Sequence, residues 1–345
     1  MELPKSVSPL DITYNAENIH TVLAQKGLCG LENMGNTCYL NSIIQCLAHT
    51  PWLRDFILLA KHESMVHKEK IQYILINELT KVFRGIWYEN AVVTPKSFFH
   101  YFQVLSVKCG SGQFNGYNQN DSAEALIFIL DLLHESISGS MPQSVLDIDM
   151  VADSPSIQQW NAMYKQSYST IIDNIYGQSH IKITCANCGH VSSNYDPYAL
   201  IHLPVPISQE PIDIQHCITG LSTKEQLDSD NQYKCSNCDQ HTNAFREEII
   251  LRTNNTLIIN LKRFTKTGEK INTHVSYPLT NFTICGKSYS LYAVNNHTGS
   301  LNGGHYFSYV LQNGIWYEFN DRYVRLANHA SIVSPNAYIL FYKMN

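Results

Sequence analysis

Residues 27–48 read GLCGLENMGNTCYLNSIIQCLA and decide the fold of the chain. Apolar residues recur here at the three- and four-residue spacing of an amphipathic helix, at Leu40, Ile43, Ile44, Leu47 and Ala48. Pro51 marks the end of this helix. The pattern therefore places Cys38 at a helix start.

The position of Cys38 has a chemical consequence. The positive end of the helix dipole favours a thiolate, which is the nucleophilic form of cysteine. Asn36 or Thr37 can cap the helix, and Gly35 lets another backbone approach. Free backbone N–H groups at the helix start and the amide of Asn33 could stabilise an oxyanion. Taken alone, each of the chain's ten cysteines is explained as well by simple packing.

Residues 30–42, GLENMGNTCYLNS, resemble the cysteine box of the ubiquitin-specific proteases. Members of this family are papain-like cysteine deubiquitinases. The resemblance implies an α+β fold with a helical thumb, β-rich zinc-bearing fingers and a β-sheet palm. It also implies that Cys38 is the nucleophile and that the oxyanion is held by Asn33 and the backbone N–H of Cys38.

The resemblance covers nearly the whole chain and suggests its division. We expect residues 1–26 to be a leader, with a short helix near 16–24, and residues 27–345 to be the catalytic domain. Within that domain, residues 27–155 would form the thumb, 156–255 mainly the fingers and 256–345 the palm.

Composition and charge narrow the class of protein. Hydrophobic residues make up 44% of the 345 positions, which is enough for substantial cores. Lys plus Arg number 24 against 29 Asp plus Glu, a net charge of -5 without a basic block, so we expect no nucleic-acid partner. The sequence has neither a signal-peptide core nor a run of 18 uncharged apolar residues. We therefore expect a soluble intracellular protein, cytoplasmic or nuclear, without a membrane partner.

A second stretch carries a candidate base. Two aromatic-rich runs flank Asn313-Gly314, which predicts a β-hairpin with a two-residue type I′ turn. The turn fixes the register: Gln312 pairs with Ile315, and the pairing continues away from the turn to His305 opposite Arg322. His305 and Asn320 then share one face as diagonal neighbours, within reach of each other's side chains.

That geometry favours Asn320 over Asp321 as the group that orients His305, because Asp321 would face the other way unless a bulge intervenes. The resemblance gives the same assignment and makes His305 the general base, then the acid, with Asp321 as an auxiliary. Gly303 and Gly304 leave room for a substrate backbone to pass close to His305. We expect residues 296–302 before them, and residues 265–273, to be polar loops, which gate the active site in the family.

The remaining motifs concern a metal and a substrate. Two Cys-x-x-Cys pairs, each beside strand patterns, favour a closed tetrahedral structural Zn²⁺ site with ligands Cys185, Cys188, Cys235 and Cys238. Asp121 and Glu124 are three residues apart before an apolar helix. They match family carboxylates that contact the basic C-terminal stretch of ubiquitin, although Asn120 replaces the usual glutamine. Acids at a helix start also suit the helix dipole without any ligand.

Secondary-structure patterns predict helices over 52–60, 72–86 and 98–104, the last with Thr94 as cap and Pro95 at its first position. Residues 139–160 read as a surface connection. Strands are expected over 176–184, 245–251, 256–261 and 289–295, with strand-like residues at 277–278.

The resulting hypothesis is a thiol-dependent deubiquitinase whose partners are ubiquitin, ubiquitinated proteins, and activating or targeting proteins. Two alternatives remain open: a catalytically weak ubiquitin-binding scaffold, and a protease for a ubiquitin-like modifier. The net negative charge excludes a zinc-ribbon nucleic-acid module. Such a module would also leave the cysteine box at residues 30–42 and the stretch around His305 unexplained.

Overall fold

The structure is a computed structural model that describes residues 26–89, 92–110, 112–142, 154–301 and 303–345. The predicted leader and its short helix lie outside these residues, apart from Lys26. Two compact units divide the chain: Met1–Ser136 with His305–Asn328, and Ile137–Gly304 with His329–Asn345.

Helices dominate the first half of the chain. The α-helices of the described residues are, in order, α1 Cys38–Ala48, α2 Pro51–Leu58, α3 Tyr73–Tyr88, α4 Lys96–Cys109, α5 Ser122–Ile137, α6 Pro155–Tyr164, α7 Thr170–Ile175 and α8 Ile214–Leu221.

Strands dominate the second half. They are β1 Gly177–Cys185, β2 Val191–Tyr198, β3 Ile201–Pro204, β4 Ile212–Asp213, β5 Glu225–Leu227, β6 Tyr233–Lys234, β7 His241–Thr242, β8 Ala244–Arg252, β9 Thr256–Lys262, β10 Val275–Ser276, β11 Phe282–Ile284, β12 Lys287–Ser300, β13 Gly303–Gln312, β14 Ile315–Asn320, β15 Tyr323–Leu326 and β16 Ala337–Met344.

The first unit packs helices α1 to α5 with the strands β13, β14 and β15. Helix α1 is the centre of its core, because every one of its residues is buried. The predicted hairpin is confirmed: Gln312 pairs with Ile315, and the register continues to Ser308 opposite Phe319. Asn313 and Gly314 have φ of 51° and 79°, as a type I′ turn requires.

A close backbone contact joins the segment before α1 to the turn after β14. The Leu31 N–H donates to the carbonyl of Asp321 at 2.9 Å. A Cβ atom on Gly30 would lie 2.3 Å from the carbonyl oxygen of Arg322. Only glycine therefore allows this approach, which holds the segment that carries Asn33 against the hairpin.

The second unit holds two larger sheets. One has the order β2-β1-β8-β5 and is antiparallel throughout. In the other, the strands of this unit run β12-β16-β9-β3, and β11 pairs with β12. The loop after β9 is fixed at its base by Arg263, which is fully buried and donates to the carbonyls of Ala337, Ile271 and Thr273. Burial lowers the pKa of Arg263 to about 10, and these carbonyls compensate its charge.

Several sequence expectations need correction. Thr37 occupies the N-cap of α1 but makes no side-chain capping bond. Pro95, and not Thr94, is the residue before α4. Helix α6 begins at Pro155, inside the expected surface connection at 139–160. Tyr277 and Pro278 are not in a strand, which here covers Val275–Ser276.

The expected loop at 296–302 is also wrong in its extent. Strand β12 continues to Ser300, because the buried side chains of Asn296 and His297 and the pairing with β16 hold it to the sheet. Over 265–273, by contrast, the structure has loop with one isolated bridge between Phe264 and Lys270.

Substitution of Gly30 tests the close contact in the first unit. Gly30→Ala places a methyl group against the Arg322 backbone, so we expect the free energy of unfolding to fall by about 1–3 kcal/mol, as for other overpacked sites. Gly139→Ala is the control, since a Cβ there meets nothing within 4 Å. Chemical denaturation measures both, and equal stability of the two variants would contradict the role of Gly30.

Candidate active site and metal centre

Cys38 is the first residue of α1 and is 4% exposed. The loop before it is organised by Asn33, whose Oδ1 accepts hydrogen bonds from the N–H groups of Gly35 at 2.9 Å and Thr37 at 3.2 Å. The Thr37 hydroxyl accepts from the Met34 N–H at 2.9 Å instead of capping the helix. The first N–H groups of α1 are thus left without a side-chain cap.

His305 lies on β13, between Cys38 and Asn320. Its Nε2 is 2.8 Å from Oδ1 of Asn320, on β14. Because an amide oxygen only accepts, Nε2 carries the proton in this bond. The remaining nitrogen, Nδ1, is then the one available for the hydrogen bond that His305 makes with the side chain of Cys38. The structure thus brings together three residues that the sequence places far apart.

The surroundings of His305 favour its charged form. The pKa of His305 is raised from 6.5 to about 9, and the hydrogen bond with Cys38 is the largest cause. Burial opposes this rise, whereas the bond with Asn320 and the charges of Cys38 and Asp321 contribute to it. The stability gained from this imidazolium is therefore fully present below pH 6.5 and is lost as the pH rises through about 9.

Asp321 does not point at the histidine but at two asparagines. Its Oδ2 accepts from Nδ2 of Asn33 at 2.9 Å, and its Oδ1 accepts from Nδ2 of Asn41 at 2.8 Å. Asp321 has a φ of 48°, a left-handed conformation that ends β14 and lets the chain turn. Sequence analysis missed Asn41, although a polar residue on the apolar face of a core helix was a signal.

The two carboxylates at the start of α5 have different surroundings. Asp121 Oδ1 accepts from the N–H groups of Ala123 at 2.7 Å and Glu124 at 3.1 Å, so it caps the helix. Glu124 is exposed, and burial and the neighbouring Asp121 both raise the pKa of its carboxyl group. Glu124 therefore presents a carboxylate at the surface, and Asp121 also stabilises the helix.

Gly303 and Gly304 directly precede His305 in β13. A Cβ atom on Gly304 would lie 2.0 Å from Nε2 of His297, so packing within the second unit already requires glycine there. At Gly303 the nearest atom to a Cβ is Oγ of Ser300, at 3.8 Å. Packing therefore explains glycine at position 304, which the sequence did not reveal, whereas a Cβ on Gly303 would make only an ordinary van der Waals contact.

Four cysteines of the second unit form one cluster. Their sulfur atoms all lie within 4.8 Å of one another, with Cys185 4.0 Å from Cys238 and Cys188 3.7 Å from Cys235. A tetrahedral zinc site with Zn–S bonds of about 2.3 Å has S–S edges of about 3.8 Å. The cluster could therefore hold a metal ion of this size.

The loops around the cluster supply hydrogen bonds to sulfur. Asn187 Nδ2 is 3.9 Å from Sγ of Cys238, and Asn237 Nδ2 is 3.6 Å from Sγ of Cys188. Each asparagine thus comes from one Cys-x-x-Cys turn and donates to a cysteine of the other. Such donors stabilise thiolates, which are the metal-binding form of cysteine.

Nucleophile, base and orienting amide in one hydrogen-bonded series are what a thiol hydrolase needs. The family model "Ubiquitin carboxyl-terminal hydrolase" matches residues 29–342. Ubiquitin carboxyl-terminal hydrolase 2 of Gallus gallus is 31% identical over 340 residues, which cover 92% of this chain and 94% of the relative. The chain belongs to the ubiquitin carboxyl-terminal hydrolase family of cysteine-type deubiquitinases.

Other relatives are longer proteins. Ubiquitin carboxyl-terminal hydrolase 2 of Homo sapiens is 32% identical over 346 residues, covering 92% of this chain and 55% of the relative. The rat protein of the same name is 31% identical over 365 residues, covering 99% of this chain and 57% of the relative. The chain thus spans a little over half the length of these mammalian relatives.

Solved structures show the same fold. A SAGA DUB module of Ubp8, Sgf11, Sus1 and Sgf73 bound to monoubiquitin matches with a TM-score of 0.68 and 25% identity, covering 94% of this chain and 70% of that one. A yeast SAGA DUB module matches with the same TM-score and 24% identity. The expected papain-like α+β fold of the family is confirmed.

No helix in the described parts of the chain is both long and apolar enough to cross a bilayer.

Asn320 offers a test of what sets the pKa of His305. Asn320→Ala removes a hydrogen bond that raises this pKa, so we expect it to fall. Asn320→Asp keeps the acceptor and adds a negative charge, so we expect it to rise. NMR titration of protein labelled at histidine Cε1 measures both, with the His305→Gln spectrum identifying the signal. An unchanged pKa in Asn320→Ala would refute the role of this bond.

Proposed function

We propose that the chain is a thiol-dependent deubiquitinase that hydrolyses the isopeptide or peptide bond at the C-terminal glycine of ubiquitin. The single observation that carries the proposal is the series in which His305 is hydrogen-bonded to Cys38 on one side and to Asn320 on the other. Family membership supports the substrate, since the family model is named for ubiquitin carboxyl-terminal hydrolysis.

The reaction follows from these groups. His305 takes the proton of the Cys38 thiol, and the resulting thiolate attacks the glycine carbonyl to form a tetrahedral oxyanion. As the carbonyl re-forms, the C–N bond breaks, and His305 gives its proton to the leaving lysine amine. His305 then accepts a proton from water, which attacks the thioester and releases the ubiquitin carboxylate and the thiol. The raised pKa of His305 supports this cycle, because it keeps a proton ready for the amine.

Asn33 and the backbone N–H of Cys38 hold the oxyanion in this scheme. One N–H of the Asn33 amide is used by Asp321, and the second is the donor offered to the oxyanion. Asn320 orients the imidazole of His305. Asp321 is an auxiliary: it orients Asn33 through its carboxylate and acts on His305 through its charge.

Substrate recognition is assigned to Asp121, Glu124, Gly303 and Gly304. The carboxylates suit a basic peptide, such as the C-terminal stretch of ubiquitin, and the exposed, side-chain-free backbone of Gly303 suits a passing substrate backbone. The proposed lobes are residues 27–155 as thumb, 156–255 mainly as fingers and 256–345 as palm.

The cysteine cluster is assigned to a structural Zn²⁺. Four thiolates leave no open coordination position, so this metal would stabilise the fold and take no part in the chemistry. The sulfur distances and the two asparagine donors support this choice of ion.

Partners and location remain proposals as well. One structural relative is bound to monoubiquitin and assembled with three other proteins, which supports ubiquitin, ubiquitinated proteins and a targeting or activating protein as partners here. We place the protein inside the cell, in the cytoplasm or the nucleus.

The function can be tested with ubiquitin that carries a thiol-reactive C-terminal warhead. We expect the wild-type chain to form a covalent adduct and Cys38→Ser to form none, because the warhead needs the Cys38 sulfur. Cys109→Ser is the control, since this exposed cysteine lies in the same unit outside the site. If an adduct formed with a ubiquitin-like modifier and not with ubiquitin, the proposed substrate would be that modifier. Ubiquitin binding without adduct or hydrolysis would favour a scaffold.

The zinc proposal makes a separate prediction. Purified wild-type protein should contain about one zinc ion per chain, and Cys235→Ser should lose it and melt at a lower temperature, because three thiolates bind more weakly than four. Cys285→Ser, an exposed cysteine outside the cluster, should keep both zinc and melting temperature. Elemental analysis and calorimetry measure the two quantities. Full zinc content in Cys235→Ser would contradict the ligand assignment.

A further inference from the structure

Asn41 is a polar residue in the most buried helix of the first unit. It is 2% exposed, as is Gln45 one helical turn later on the same face of α1. Each amide donates from its nitrogen, and neither amide oxygen has a partner among the residues that the structure describes. Burying an amide costs free energy unless its hydrogen bonds compensate for the lost contacts with water. The presence of two such amides in the core therefore has to be explained.

The contacts of Asn41 define it as a donor. Its Nδ2 is 2.8 Å from Oδ1 of Asp321, 3.3 Å from the carbonyl oxygen of Glu32 and 3.5 Å from that of Leu31. Rotating the amide by half a turn would put its oxygen against three other oxygens. The orientation with Nδ2 towards Asp321 is therefore the stable one.

Asp321 links Asn41 to Asn33. One oxygen of its carboxylate accepts from Asn41 and the other accepts from Asn33, so each asparagine holds one side of the same charged group. Asn33 has its own oxygen fixed by the N–H groups of Gly35 and Thr37. With that oxygen held, the amide nitrogen of Asn33 is restrained by its bond to Asp321, whose other carboxylate oxygen is held by Asn41.

We propose that Asn41 is a positioning residue, which fixes the Asp321 carboxylate and thereby the amide of Asn33 that faces the oxyanion. This inference rests on the proposed function. Asn41 acts through Asp321 and contributes to the transition state more than to the binding of ubiquitin. Its loss should therefore lower kcat and leave KM nearly unchanged.

The first test compares Asn41→Ala with Gln45→Ala, using a fluorogenic ubiquitin amide. Gln45 is the matched control, because it is an equally buried amide on the same helix and its nitrogen donates to the carbonyl of Cys29 instead of to Asp321. Loss of an oxyanion donor costs about 100-fold or more in kcat, so a misplaced donor should cost about tenfold. We expect this loss, with KM within about twofold, in Asn41→Ala only. Both variants should melt at lower temperatures.

A second test uses charge. Asn41→Asp places a second carboxylate against that of Asp321, so kcat should fall further and should recover towards acidic pH, where one carboxylate is protonated. Adding Asp321→Asn restores an amide–carboxylate pair with donor and acceptor exchanged. The kcat of the double variant should be about tenfold higher than that of Asn41→Asp, and it should no longer rise towards acidic pH.

The outcomes separate this inference from the proposed function. An inactive wild-type chain would count against the function, and the inference is then read from the side-chain amide NMR signals of Asn33. These signals should shift in Asn41→Ala and stay in place in Gln45→Ala. Unshifted Asn33 signals would overturn the inference, as would wild-type kcat in Asn41→Ala or equal kcat losses in both variants.

Discussion

The first unit depends on one close contact, in which the segment before α1 lies against the turn that follows β14. The Leu31 N–H and the Asp321 carbonyl form its hydrogen bond, and the missing side chain of Gly30 makes room for Arg322. The helix that begins with Cys38 and the hairpin that carries His305 are otherwise separated by more than 250 residues of sequence. This backbone contact holds the segment before α1 next to the end of the hairpin, together with the hydrogen bonds of Asp321 to Asn33 and Asn41.

This contact also explains how one carboxylate can serve two asparagines. Asp321 directly follows Asn320, but its carboxylate is hydrogen-bonded to two asparagines instead of to His305, in keeping with the predicted alternation of strand residues. Its left-handed backbone ends β14. The carboxylate accepts from Asn33, in the segment before α1 that the backbone contact holds, and from Asn41, within α1 itself.

Local patterns explain which parts of the structure were predictable. The Asn313-Gly314 turn determines a register through geometry alone, and two Cys-x-x-Cys pairs determine a four-sulfur cluster through chemistry alone. The extent of β12 was not predictable, because Asn296 and His297 are polar and only the tertiary structure buries them. The same holds for Gly304, whose need for a hydrogen side chain comes from His297, seven residues earlier.

The candidate site combines amide side chains, which carry no charge, with the imidazole of His305, which does. The amides of Asn33, Asn41 and Asn320 do not titrate, so each keeps its donor and acceptor atoms when the pH changes. The charge is carried by His305, whose environment keeps the imidazole protonated well above its ordinary pKa. A carboxylate in place of Asn320 would hold that proton more tightly and give it up less readily to a leaving amine. A neutral orienting group therefore suits a histidine that must first hold its proton and then donate it.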